Sequence, residues 1–426
     1  MDRKWIGAAL ASALLPAALS AQASDYGKEA AKLLASGKFK TAAARIDADY
    51  DRVVGDIVAL TEIEAPPFKE EQRARVYLRM LREQGLSDVE MDEEGNVMGL
   101  RKGSGQGPLV VIAAHLDTVF PAGTDVKVRR EGNTLHAPGV GDDTSSLPVL
   151  LAFARAMDAA GYRTSSDILF VGDVGEEGPG DLRGMRYLFN KGKYKDRIRY
   201  FISFEPGRAG RITNGGVGSR RYKLTFAGPG GHSYGAFGLV SPAFALGQAM
   251  VEFGRIQVPE TPKTTYNVGV IEGGTSVNSI PFAMSMTVDM RSAGKAELDA
   301  LEQQFLAIPA KAVAAENAAR STAKGEITYQ LEPVGDRPVG QTDPDKRIAR
   351  IASAVARAGG VEPQYGASST DANVPMSLGI EALTLGGGFE SSRAHSLDEF
   401  VELDRAADVH SMSLGLATVL MLAGAK

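Results

Sequence analysis

Four short apolar runs constrain this chain most: Leu109–Ala114, Ile168–Val171, Tyr200–Phe204 and Ala382–Leu385. Each is too short for a helix that buries itself on all sides, and none alternates polar with apolar residues. Such runs read as strands buried on both faces. Segments of helical character separate them: Ser146–Ala160, Asp343–Ala358 and Asp404–Ala423. Strands buried on both faces and alternating with helices predict an α/β fold with a mostly parallel central sheet flanked by helices.

The texture changes from about residue 216. Arg221–Phe226, Thr265–Val270 and Met284–Met290 alternate polar with apolar residues, as half-exposed antiparallel strands do. Glu297–Ala319 reads as one long helix. These segments predict an inserted α+β unit over 216–334, dividing an α/β unit into 24–215 and 335–426. At the start, residues 25–60 read as amphipathic helix ended by Pro66-Pro67, and Glu70–Gln84 as a second helix closed by Gly85. Arg3 and Lys4, the apolar stretch Trp5–Leu19 and Ala21-Gln22-Ala23 have the order of a secretory signal peptide over 1–23. That predicts a periplasmic or secreted protein. The apolar run Leu414–Ala423 is too short for a span and reads as buried helix.

Composition narrows the chemistry. The 426 residues contain no cysteine, which excludes disulfides, thiolate ligands and cysteine nucleophiles. Lys and Arg number 47 against 52 Asp and Glu, so no basic surface for nucleic acid is expected. A metal site in this chain must use His, Asp and Glu.

In open α/β sheets ligands bind beyond the carboxyl ends of the strands. There the chain places His115 and Asp117, then Glu176 and Glu177, then Glu205, then the Gly386–Gly388 turn followed by His395. Gly141-Asp142-Asp143 adds an acidic loop. A histidine or an acidic pair at one strand end is ordinarily a turn or a cap. Four strand ends and a loop delivering the same chemistry form a nitrogen- and oxygen-donor metal site. His136 and His410 read as structural.

His115-Leu116-Asp117-Thr118, Gly141-Asp142-Asp143, Gly175-Glu176-Glu177-Gly178, Gly230-Gly231-His232-Ser233 and Ala394-His395-Ser396 occur in an order that resembles one family. It is the dinuclear-zinc metallopeptidase family of carboxypeptidase G, peptidase T, aminoacylase and succinyl-diaminopimelate desuccinylase. The resemblance covers nearly the whole chain after residue 23 and implies that the insert is a lid and dimerisation domain. It implies that His115 and Glu205 hold one zinc, Glu177 and His395 the other, and that Asp142 bridges both. Cobalt or manganese would fit the same ligands. Asp117 would accept the second ring N–H of His115, and Glu176 would be the general base on a zinc-activated water. His232 would reach the active site of a partner subunit in a homodimer and stabilise the oxyanion. Asn278 and Arg291 would hold the substrate carboxylate, and Gly387 would let substrate approach the backbone closely.

The activity implied is hydrolysis of amide bonds in dipeptides or short peptides, or of N-acyl amino acids. Glutamate at 205 leans toward the acyl-amino-acid branch of the family; the stretch 175–186 leans toward the peptidases. A binding protein that kept the fold would be expected to have lost Glu176 or a ligand, and all are present.

Overall fold

The computed structural model describes residues 26–426. The segment read as a signal peptide lies outside them. Among the described residues no helix is long and apolar enough to cross a membrane.

The four apolar runs are neighbouring strands. Ile168–Asp173, Leu109–His115, Ile198–Glu205 and Glu381–Gly386 lie side by side in that order, all parallel. Alternate side chains feed two cores. Val110, Ile112, Phe170, Ile202 and Leu383 face one side. Val111, Ala113, Leu169, Phe201 and Ala382 face the other. Helices Tyr50–Thr61, Leu147–Ala159, Arg347–Ala358 and Arg405–Leu422 cover the first side; Arg183–Asn190 and Asn373–Ser377 cover the second. Burial on both faces is why these strands read as continuous apolar runs.

The sheet is mixed at its edges. Ser87–Met91 and Val97–Arg101 join antiparallel on one flank. On the other, Arg211–Gly216 pairs antiparallel with Glu381–Gly386 and with Gly340–Gln341, and parallel with Gln364–Ser368. The parallel expectation thus holds for the central strands, where the ligand-bearing ends are.

Two helical expectations are subdivided. Residues 25–60 form not one helix but helix over 26–35, then Gly37–Ala48 and Tyr50–Thr61. The Ser36 side chain caps the second by accepting from the Phe39 amide, and Asp49 ends it and starts the third. The last of these stops at Thr61, before Pro66. Glu297–Ala319 is two helices, Lys295–Leu306 and Ile308–Ala319, because Pro309 enters at the first turn of the second and cannot continue the first.

The inserted unit is a four-stranded antiparallel sheet, ordered Thr264–Gly273, Ala283–Ser292, Gly218–Ala227, Thr328–Arg337. One face packs Leu224, Phe226, Met286, Val288 and Met290 onto its helices, giving the unit a core of its own. The period-two pattern records that one-sided burial.

Candidate metal centre

The carboxyl ends of the parallel strands converge on one cluster. His115 ends Leu109–His115 and Glu205 ends Ile198–Glu205. Ala113 pairs with Ser203, so the next alternate residues, His115 and Glu205, stand at neighbouring strand ends. Asp142 comes from the loop before helix Leu147–Ala159, and its peptide bond to Asp143 is cis. Glu176 and Glu177 follow Ile168–Asp173, and His395 follows the short strand Glu390–Ser392.

Asp142 divides its oxygens between the two histidines. Oδ1 lies 3.1 Å from His115 Nε2 and Oδ2 lies 3.2 Å from His395 Nε2. Glu177 Oε1 is 2.8 Å from the same His395 nitrogen. His115, Asp142 and Glu177 each offer one ligand atom, all within 4.8 Å of one another.

The charges fit a cation. Burial works against a charged His115 ring, but the Asp142 hydrogen bond and the neighbouring carboxylates hold it well above its usual range. Hydrogen bonds to Asp142 and Glu177 raise His395 to about 10. Burial, with Asp142 and Glu176 nearby, pushes the Glu205 carboxyl well above its usual range. These directions all follow from carboxylates crowded in a buried site, a charge excess that a divalent cation would neutralise.

Asp117 differs from its expected role. The His115 Nδ1 contact at 3.0 Å is to the Asp117 backbone carbonyl, and the nearest carboxylate oxygen stands 3.7 Å away. The Asp117 carboxylate instead accepts from the amides of Glu176, at 3.0 Å, and Glu177, at 2.8 Å. With only one residue between His115 and Asp117, the carbonyl reaches the ring first, and the carboxylate is free to shape the adjacent loop.

The inserted unit's candidates stand apart. His232 is exposed, on a two-residue strand paired with Ser279–Ile280, and its Nδ1 accepts from the Tyr234 and Gly235 amides. Asn278 is exposed and its carbonyl accepts from the Ser233 amide at 2.9 Å. Arg291 pairs with Asp289 at 2.6 Å. Among the described residues none of the three bonds to the cluster. Gly387 donates to the Glu205 carbonyl at 2.7 Å, and a Cβ there would meet Ser146 Oγ at 2.8 Å. The close approach it permits in this structure is to its own chain. His136 packs against Phe400 and His410 contacts the Gly359 carbonyl, both away from the centre.

Several supporting residues carry no sequence signal. Glu399 accepts from the amides of Gly139, Gly141 and Asp142, fixing the loop that presents Asp142. Arg73, buried, donates to the carbonyls of Ile63 and Leu116 and to Thr144. Asp143, which the sequence does mark as part of the acidic loop, accepts from the His115 amide. Arg337 pairs with Glu176 at 3.0 Å. Asp173 and Asp371 are fully buried beneath the cluster, and burial raises Asp173 to about 7 and Asp371 well above its usual range.

A family model described as peptidase family M20/M25/M40 matches residues 111–418. The chain belongs to peptidase family M20/M25/M40. Carboxypeptidase G2 of Pseudomonas sp. (strain RS-16) is 26% identical over 318 residues, 71% of this chain and 72% of that protein. Matches to curated relatives span from 32% to 97% of those proteins' own lengths. Among solved structures, a tripeptidase from Staphylococcus aureus superposes with a TM-score of 0.72 at 18% identity, over 88% of this chain and 98% of that one. A Bacillus subtilis structure described as a dinuclear metal binding peptidase from the M20 family gives 0.64 at 17% identity, over 88% and 99%. This M20 chain is thus a metal-dependent hydrolase of amide bonds, with the fold of its family.

Proposed function

We propose that this M20 chain is a secreted or periplasmic exopeptidase that cleaves dipeptides or short peptides with two zinc ions per subunit. The observation that carries the reading is the division of Asp142 between His115 and His395. One carboxylate reaching toward two histidine sites suits a bridging ligand. His115 and Glu205 would hold one ion, and Glu177 and His395 the other. When bound, the pair of cations supplies Lewis acidity and lowers the pKa of a water toward neutrality.

The chain's own residues do the rest. Glu176 takes a proton from the attacking water and returns it to the leaving amine. Its Oε1 is occupied by Arg337, whereas Oε2 carries no hydrogen bond among the described residues, so Oε2 is the atom for that transfer. Burial pushes this carboxyl up to about 7, although Arg337 beside it works the other way, which suits a group that must both accept and give a proton near neutrality. Asp117 keeps Glu176 and Glu177 on one turn with their side chains directed to different tasks. His232 would stabilise the oxyanion from a second copy in a homodimer, and Asn278 and Arg291 would hold the substrate carboxylate. The order of residues 1–23 supports export.

Glutamate at 205 favours a second reading, an N-acyl-amino-acid amidase using the same centre. A paired panel on the zinc-loaded protein tests both. Each amino acid is offered in unblocked dipeptides and as its N-acyl derivative, with products read by mass spectrometry. Cleavage of the unblocked peptides supports the exopeptidase; cleavage of the acyl compounds alone replaces it with the amidase. Cleavage of neither sinks both.

A further inference from the structure

Glu176 is gripped from the inserted unit as well as from its own loop. Arg337 is the last residue of strand Thr328–Arg337 and is only 4% exposed. Its Nη1 stands 3.0 Å from Glu176 Oε1 and 3.0 Å from Ser369 Oγ, and its Nη2 donates to the Glu176 carbonyl. A planar guanidinium that takes side chain and backbone of one residue fixes that residue's torsions, which a lysine ammonium could not reproduce.

Arg337 is not alone at this seam. Arg221 donates to the Gly178 carbonyl at 3.1 Å, the Asp336 amide donates to the Asp181 carboxylate at 3.1 Å, and Arg186 donates to the Asp336 carbonyl. All four contacts join the inserted sheet to the segment 176–186, which begins with Glu176 and Glu177. Where the chain crosses between the units, Asn373 Nδ2 donates to the Val217 and Pro338 carbonyls, at 2.8 and 2.9 Å, tying the two crossing strands together. A shift of the inserted sheet therefore has a short covalent and hydrogen-bonded route to the Glu176 carboxylate.

We infer that Arg337 is a positioning residue through which the inserted unit sets the orientation of the Glu176 carboxylate, holding Oε1 so that Oε2 faces the water. The inference rests on the reading of Glu176 as general base. It differs from a plain buried ion pair, which would affect folding or metal retention and leave kcat of the folded, metal-loaded enzyme unchanged.

The test is a double-mutant cycle on the metal-loaded enzyme, with metal content measured for every variant. Arg337→Met and Arg337→Lys should retain metal and lower kcat by roughly 10²-fold, the scale of a misplaced catalytic group, with little change in KM. Placed on Glu176→Ala, Arg337→Met should produce no further loss, because the group it positions is gone. Arg186→Ala, at a partly exposed site, should lower kcat less, and only while Glu176 is present; it decides the matter if the Arg337 variants do not fold. Equal losses with and without Glu176, an effect confined to KM, or loss of metal would overturn the inference while leaving the base assignment standing. A fully active Glu176→Ala enzyme would overturn both.

Discussion

In the α/β unit, His115, Asp142, Glu177 and His395 contact one another directly, and Asp117, Asp143 and Glu399 hold their loops through backbone amides. In the inserted unit, His232 and Asn278 lie exposed and bond only to neighbouring segments of that unit. The contrast separates two demands. A metal-ligand set must be preorganised, because several charged groups share a small space and each needs a fixed direction. Groups meant for substrate gain nothing from early burial. They stand on a surface where Tyr234 and Phe237 are about nine-tenths exposed and Val277 and Phe282 are also open, a patch that supports the proposed dimer. One subunit thus brings the candidate ligands together, while the groups proposed for substrate stand apart from them.

The largest expected effect falls on the group that divides these roles. Glu176→Ala should keep its metals and lose turnover by roughly 10²–10⁴-fold, the usual contribution of a general acid–base residue. Metal analysis beside steady-state rates checks it, and a variant that lost metal would move Glu176 into the ligand set. His232→Ala should cost roughly 10²–10³-fold, the scale of one oxyanion donor, with metal content unchanged. Mixed with Glu176→Ala subunits, it should recover activity, since one site in each mixed dimer would have an intact Glu176 and a partner's intact His232. No recovery in verified mixed dimers would mean that the inserted unit acts within its own subunit.

A third prediction attacks the preorganised side. Glu399→Ala removes the acceptor for three amides that present Asp142. Metal affinity should fall by roughly 10–100-fold, the cost of losing an outer-shell partner. Titration with a competing chelator measures this, and unchanged affinity would show that the Asp142 loop is held without it.

The two halves were unequally legible in the sequence. Strand ends announce themselves, because an apolar run stops at a polar residue and the sheet brings the ends together; His115 and Glu205 follow from that rule, and Glu177 and His395 lie in the segments that come next. The supports do not. Glu399 lies 257 residues from the Asp142 amide it accepts from, and Arg337 lies 161 from Glu176. No periodicity connects such pairs, and a lone Glu or Arg has the composition of ordinary surface. Asp117 was legible as important and misread in detail, because the choice between its carboxylate and its carbonyl is made by local backbone path. The helix breaks at Ser36, Asp49 and Ala307 were hidden by apolar spacing that continues across them.

The smallest effect lies in the scaffold behind the centre and checks that the contrast concerns the site alone. Asp408, fully buried on helix Arg405–Leu422, accepts from the Tyr50 hydroxyl at 2.7 Å and stands 3.5 Å from Arg208. Burial raises its carboxyl from the usual range to about 6. In the unfolded chain the group ionises near pH 4, so between about pH 4 and 6 the folded state holds a proton that the unfolded state has released. Its contribution to stability is therefore full below pH 4, falls as pH rises through about 6, and is constant above. The loss should be on the order of 1–2 kcal/mol, smaller than the shift alone implies because Arg208 and solvent relax around the ion. Asp408→Asn, which keeps an acceptor for Tyr50 but cannot ionise, should lack that slope, so that the difference between the two proteins' melting temperatures changes across pH 4–7. It should leave metal affinity and kcat unchanged. A slope that survives in the variant would place the titration elsewhere, whereas a change in metal affinity would show that the scaffold and the ligand set are coupled more tightly than their separate hydrogen-bond networks imply.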